Sequence, residues 1–444
     1  MESRSLNLGF FWHMHQPDYR DSQGVMMMPW VFLHAIKDYY EMPWLLSQHS
    51  GLKATFNITA PLIEQINLYR DPLKHDHFLS LWAKHPSELS SEEKAWFLKI
   101  CKSTQYETMI KPIAELERLY HLEVMRDAEL IDFQVLFLLT WCGNYLRQND
   151  PLIQSLFAQG KGFASSDKAK LLQNLCDFTQ EILPFYAQLQ AQGVISLATT
   201  PYNHPILPLL LDMENAKEAN PHTALPDNPM PLREDAIAQV ERSIALYQET
   251  FGREPTGFWP AEGAVDEASI AIYQERGIRW IATDEAILFR SLGSDNRAQL
   301  YRPYRFDGMT IGFRDHGLSD LIGFNYRFKS GEEASRHFMQ TVEPIAREQE
   351  EATLFIILDG ENAWEFFEDN AYDFFTTLYA TLSQTPWCKS VTMDEVAGLE
   401  RYGRLSRVAP GSWIHGNFDT WSGHSEKNRA WELIFQTRRD VENY

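Results

Sequence analysis

With 444 residues, the chain is long enough for one large barrel with insertions or for two or three ordinary domains, and either closes a sizeable core. Hydrophobic residues at 44% and charged residues at 23% are ordinary for a soluble protein, whereas 13 Trp among 13% aromatics is rich for this length, a surplus that suits sugar-stacking surfaces although core packing absorbs most aromatics. A formal charge of −21 repels phosphate backbones and anionic lipid, so nucleic acid and membrane surfaces are not expected partners and a neutral or cationic ligand is.

The segment from Met1 to Leu8 has no basic stretch followed by an apolar run and cleavage site, and no later run is apolar enough to span a bilayer. A cytoplasmic location is the expectation. The first predicted strand, Leu8 to His13, runs into His15 and Gln16; the second is Ala54 to Ile58. From about Asp71 to Gln190 the pattern is helical and rich in Leu, Lys, Glu and Gln, without a convincing strand, which predicts a helical insertion. Strand patterns resume at Ile195 to Thr200, just before His204, and at Thr256 to Pro260, just before Glu262. Two more cover Ile278 to Thr283 and Leu354 to Asp359. Amphipathic helices are predicted at Arg233 to Phe251 and Val265 to Gly277, the latter closing on a glycine suited to a helix C-terminus.

Strands that read as buried parallel runs, alternating with helices, point to a (β/α) barrel, where polar groups at the C-terminal ends of strands carry the chemistry. The expected layout is a barrel over residues 1–398, including the insertion at about 71–190, and a C-terminal helical region over 399–444. In that region Pro410 and Gly411 open a loop before a helix from about Glu426 toward Tyr444, and the whole is expected to fold over the barrel mouth. Cys101, Cys142, Cys176 and Cys388 are too scattered for a zinc site or a disulfide scaffold and read as reduced thiols without a role.

Two acidic segments stand out. In Gly257-Phe-Trp-Pro-Ala-Glu262-Gly, a carboxylate follows a strand among small residues, a place that suits catalysis and equally suits a helix cap. In Leu358-Asp359-Gly-Glu361-Asn362-Ala-Trp-Glu365, a strand runs straight into several acids, which cannot all be caps. Two carboxyl groups facing one another across a barrel mouth are what glycosidic cleavage requires. His13, His15, Gln16 and His204 offer hydrogen bonds for sugar hydroxyls; a metal site and ordinary buried histidines are the competing readings. Thr283-Asp284-Glu285 and Arg314-Asp315-His316 follow apparent strands and suit support of the site. The tail from Ser412 to Asn428, with Trp413, Asp419, Trp421 and His424, mixes aromatic faces with polar tips as a saccharide subsite does, or forms a surface loop closed by a helix cap.

Taken in order, these segments resemble the short regions by which glycoside hydrolase family 57, the α-amylase and amylopullulanase group, is recognised. His13-Met-His-Gln-Pro17 is similar to the first, Thr200-Pro-Tyr-Asn-His-Pro-Ile-Leu-Pro208 to the second, and Gly257 to Gly263 to the third. Leu358 to Glu365 resembles the fourth and Trp413 to Trp431 the fifth. The resemblance implies an α/β fold with an incomplete (β/α)7 barrel and a helical C-terminal region. It also implies retaining cleavage of α-1,4 and sometimes α-1,6 bonds in α-glucans, with no cofactor or metal. It assigns the nucleophile to Glu262 and the acid/base to Asp359. His13, His15, Gln16, His204, Trp259, Glu361, Trp413, Asp419, Trp421 and His424 become expected substrate contacts. Many relatives continue past the final helix, whereas this sequence stops at Tyr444.

The same catalytic pair also serves a 4-α-glucanotransferase or a branching enzyme, in which a sugar hydroxyl replaces water. A metal-dependent deacetylase using His13, His15 and His204 is the alternative from another class, and a non-catalytic glucan-binding protein the third.

Overall fold

The computed structural model describes residues 5–442. Met1–Arg4, at the start of the segment read for a leader, and Asn443 and Tyr444, at the end of the expected last helix, lie outside the described residues. The strands, in chain order, are β1 (Leu6–Met14), β2 (Ala54–Ile58), β3 (Ile195–Ala198), β4 (Gly257–Phe258), β5 (Trp280–Asp284), β6 (Tyr304–Phe306), β7 (Met309–Arg314), β8 (Ala352–Asp359), β9 (Cys388–Ser390) and β10 (Gly403–Arg404).

Seven of these, β1 to β5 with β7 and β8, line up in parallel as a nearly closed barrel, and β8 pairs back onto β1 over eight positions. β3 meets β4 through one bridge, Thr199 to Phe258. The seam lies between β7 and β8, joined by the single pair Arg314–Phe355. Side chains complete that seam. Arg314 Nε donates to the Ile357 carbonyl at 2.7 Å, and Ser319 Oγ accepts from the Ile357 N–H at 3.1 Å. The backbone N–H and C=O of Ile357, which no strand pairs on that side, are thereby satisfied. This is the expected incomplete (β/α)7 barrel. β6, β9 and β10 are short additions at its margins that the sequence pattern did not distinguish.

The strands are buried on both faces, which explains their unbroken apolar runs: Ala352 to Leu358 is buried throughout. Alternation divides each run between two cores. Phe10, Trp12, Ile356 and Leu358 face the outer helices, while Phe11, Phe355 and Ile357 fill the barrel with Trp259, Trp280 and Val396. The helix Met393–Ala397 plugs the floor, where Asp394 accepts from Ser196, Thr256 and the indole of Trp280. Gly257 is required by that packing, because a Cβ there would sit 1.9 Å from the Trp280 ring.

Between β2 and β3 the described residues form only helices and loops, as expected for the insertion. The helix Asp127–Trp141 is buried on every side from Leu130 onward, so its apolar character wraps around the helix rather than forming a stripe. The helix Ser425–Glu442 packs Phe435 against Trp431 and the barrel-side cluster containing Phe418. All four cysteines are buried and unpaired, with burial pushing each thiol pKa up. No helix among the described residues is long and apolar enough to cross a membrane.

Candidate active site

The inward row of β1 continues from Phe11 through His13, and the inward row of β8 from Phe355 and Ile357 to Asp359; strand register sets His13 beside Asp359 and Asn57. Polar groups therefore form the top layer of the barrel interior, directly above a floor of aromatic and aliphatic side chains. This is the C-terminal mouth, where strand ends deliver side chains that no helix covers.

Glu262 reaches the same layer from the loop after β4. Its backbone holds φ 57°, a left-handed conformation costing roughly 1–3 kcal/mol for a non-glycine residue. Contacts on both sides fix it: Trp413 N–H donates to the Glu262 carbonyl, and Thr283 Oγ1 donates to the Gly263 carbonyl. The carboxylate accepts from His204 Nε2 at 2.9 Å on one oxygen and from Trp413 Nε1 at 3.0 Å on the other. Burial alone would raise its pKa; the His204 hydrogen bond and charge, followed by the Trp413 indole, outweigh this and leave it below the usual value. Glu262 is an ionised, oriented carboxylate.

Asp359 has the opposite setting. Burial, then the negative charge of Glu262, raises its pKa to about 6, against weaker opposition from Asn362, Arg314 and His204. Beside it, burial and the Asp359 charge push Glu361 well above the carboxylate range. Glu361 Oε1 accepts from the His15 backbone at 3.1 Å and Gln16 at 3.4 Å, tying the first strand end to the fourth region.

His15 and His204 stack face to face at 3.9 Å, and His13 continues the stack 5.4 Å from each. Asn57 Nδ2 donates to His13 Nδ1 at 2.8 Å, and Thr59 Oγ1 bonds His15 Nδ1. Burial, then the neighbouring imidazoles, depresses His13 strongly and His15 to about 2, so both are neutral. Their nitrogens lie within 4.8 Å of one another, the spacing of a three-histidine metal site. The ring planes do not fit one. Imidazole lone pairs lie in the plane of the ring, and nearly parallel, stacked planes direct them side by side instead of onto one ion about 2.0–2.1 Å away. His204 Nε2 is also committed to Glu262. The arrangement therefore gives the metal-dependent reading little support.

The mouth is braced by Arg314, whose guanidinium contacts Asp284 at 3.4 Å and Asp320 at 2.6 Å and lies 5.5 Å from the Trp413 ring. Asp284 also caps the following helix through Ala286 N–H. Through Arg314 these acids tie the rim of the mouth together.

Glu262, Asp359, Glu361, His13, His15, His204, Gln16, Trp259 and Trp413 thus converge on one layer. Trp259 is fully buried, its ring packed on Phe11, His13 and Trp413, so it backs the site without offering a free face. Three expected contacts are spent elsewhere. Asp419 accepts from Asn220 and Thr223, Trp421 packs near Phe418 and receives the Trp431 indole on its carbonyl, and His424 is exposed at the start of the last helix. Among the described residues, no hydrogen bond or ring contact joins any of the three to Glu262, Asp359 or the histidine stack. Asn57 and Thr59 are members that the sequence reading passed over; a polar Asn inside the buried run Ala54–Ile58 was their available signal.

The family model described as glycosyl hydrolase family 57 matches residues 9–408. No curated protein sequence matches the chain significantly. Among solved structures, the fold is similar to a branching enzyme from Thermococcus kodakaraensis (TM-score 0.60, 17% identity, 97% of this chain and 78% of that one). It is also similar to a branching enzyme from Pyrococcus horikoshii (0.59, 15%, 96% and 77%) and an α-amylase from Thermotoga maritima (0.57, 15%, 92% and 77%). At such identities these structures speak for the fold, and the family model, matching most of the chain over the elements that build the mouth, speaks for membership: the chain belongs to glycosyl hydrolase family 57.

Proposed function

We propose that the protein cleaves α-1,4-glucosidic bonds of starch- or glycogen-type glucans with retention of configuration. The observation that carries this reading is the divergence of two neighbouring carboxyl groups. Glu262 is held ionised by His204 and Trp413, while Asp359 keeps its proton up to about pH 6. Such a split assigns a nucleophile and an acid.

In the first step a Glu262 oxygen bonds to the anomeric carbon as the bond to the leaving oxygen breaks, and Asp359 transfers its proton to that oxygen. The ester consumes the charge of Glu262. With it goes one of the two main causes holding Asp359 protonated, so the aspartate becomes a better base just as it must take a proton from the incoming hydroxyl. That hydroxyl then bonds to the anomeric carbon, the ester bond breaks and Glu262 returns as a carboxylate. Neutral His13 and His15 supply hydrogen bonds without placing positive charge beside the developing oxocarbenium centre.

Transfer to a second glucan, as in a glucanotransferase or branching enzyme, is the second reading. It is favoured by an open cleft of about 510 Å³ beside Asp359, large enough to hold an acceptor sugar. The experiment is incubation of wild type, Glu262→Gln and Asp359→Asn with soluble starch and with pullulan, following reducing ends and iodine staining, with and without chelator. New reducing ends that persist in chelator and vanish in both folded variants support hydrolysis. Falling iodine colour without new ends supports transfer, and cleavage of pullulan adds α-1,6 action. Activity surviving both substitutions removes the assignment of the pair.

A further inference from the structure

The cleft beside Asp359 has a composition that the reaction itself does not require. Its walls include Asp359, Asn362 and Trp413, but neither Glu262 nor any of the three stacked histidines, so it opens from the acid/base flank of the mouth. A general acid protonates the oxygen that leaves. The space on its far side from the nucleophile must therefore hold the leaving part of the substrate and, later, whatever resolves the ester.

Two phenylalanines stand exposed in that wall, Phe324 at 63% and Phe366 at 41%. Their exposure is built in by their neighbours. Phe366 ends the turn Trp364–Phe366, which is anchored by buried Trp364, whose indole donates to the Gly360 carbonyl, and by buried Phe367. Phe324 lies in the turn Leu321–Asn325 between buried Ile322 and buried Tyr326, and Tyr326 OH bonds His337. Aromatic faces grouped at one cleft on a soluble surface mark a binding site more than scattered exposure does.

Arg327 lines the same cleft, its guanidinium 5.0 Å from the Phe366 ring and 4.6 Å from the Phe328 ring. Its Nε is buried without a hydrogen-bond partner, and no carboxylate pairs with it among the described residues. In a chain of net charge −21, a guanidinium left without an acid is conspicuous. It presents fixed donors with nothing in the protein to receive them.

We propose that this cleft is the acceptor subsite, in which Phe324 and Phe366 stack on the apolar face of a glucan chain and Arg327 donates to its hydroxyls. A glucopyranose ring has one apolar CH face and a rim of hydroxyl acceptors, and the cleft pairs an aromatic wall with unspent donors in the same way. Its occupancy sets the leaving-group contribution to cleavage and the share of ester that passes to sugar instead of water. The proposal rests on the Glu262–Asp359 reading.

The test compares two donors in wild type, Phe324→Ala, Phe366→Ala and Arg327→Ala: maltoheptaose, whose leaving portion must lie in the cleft, and α-maltosyl fluoride, whose leaving group is a single atom. The quantity read is the ratio of kcat/KM for maltoheptaose to kcat/KM for the fluoride. A partly unfolded variant lowers both terms and leaves the ratio alone. The expected result is a fall of about tenfold or more in the ratio for each Phe variant, with a smaller fall for Arg327→Ala. Ratios equal to wild type overturn the acceptor assignment while leaving the catalytic pair intact. A wild type that prefers cyclohexyl α-maltoside, whose leaving alcohol is no better a leaving group than a sugar hydroxyl, to maltoheptaose overturns the glucan as occupant, in favour of an apolar aglycone. No turnover of either donor by wild type overturns the proposed function and this inference together.

Discussion

His204 Nε2 lies 2.9 Å from Glu262 Oε1, and both residues hold a left-handed backbone, with φ of 58° and 57°. Two loops from different strand ends each accept strain so that one imidazole meets one carboxylate, and a third, carrying Trp413, fixes the other oxygen. Strain of this kind persists only where the surroundings over-determine it.

Loss of that imidazole should be felt in rate and in pH dependence. His204→Ala removes a hydrogen bond to a charged group, expected to lower kcat/KM by about tenfold to a hundredfold. Because His204 holds the Glu262 pKa down, the acidic limb of the profile should move to higher pH. An unchanged acidic limb with reduced rate would show that His204 acts only on the substrate.

Asp359 should set the basic limb. With its pKa near 6, kcat/KM is expected to fall as pH rises through that value, since the reactive form carries the proton. Glu262→Gln removes a charge that raises this pKa. An NMR titration of Asp359 should then show it moving down toward the ordinary carboxylate value, and a shift in the other direction would contradict the coupling.

Stability should show the same group with the opposite emphasis. A carboxyl whose folded pKa lies above its unfolded pKa contributes stability that is fully present below the unfolded value and lost as pH rises through the folded one. Asp359→Asn avoids ionising a side chain in this setting. It is expected to be more stable than wild type at pH 8 by about 1–2 kcal/mol, allowing for the partial exposure of Asp359, with the gain disappearing below about pH 4. Thermal melts at the two pH values measure it.

Arg314 is expected to matter more for stability than its position beside the site suggests. It bridges the seam between β7 and β8 through Ile357 and neutralises buried Asp284. Arg314→Met should cost about 3 kcal/mol because it strands a buried carboxylate. Adding Asp284→Asn should restore part of that loss in chemical denaturation, and strict additivity of the two changes would show that the pair is not coupled.

Much of this molecule is written locally. Buried parallel strands need apolar runs, and reactive groups at strand ends interrupt them, so Leu354–Asp359 and Ala54–Ile58 announce themselves, as does the helix Arg233–Phe251. Consecutive residues around Glu262 and Asp359 carry the family in the same way. The margin strands β6, β9 and β10, of two or three residues each, are too short for a period to register.

What the sequence could not settle is which polar groups meet. His204, Glu262 and Trp413 are separated by 58 and 151 residues, and only closure of the barrel with its covering loop brings their atoms to about 3 Å. The tail's Asp419, Trp421 and His424 look as suitable as Trp413 by residue type, yet Asp419 is spent on hydrogen bonds from Asn220 and Thr223, Trp421 on packing, and His424 on solvent. Protonation follows the same division. A carboxyl group is a property of the sequence, but whether it attacks or donates depends on burial and on the charges opposite it, and both exist only in the folded barrel.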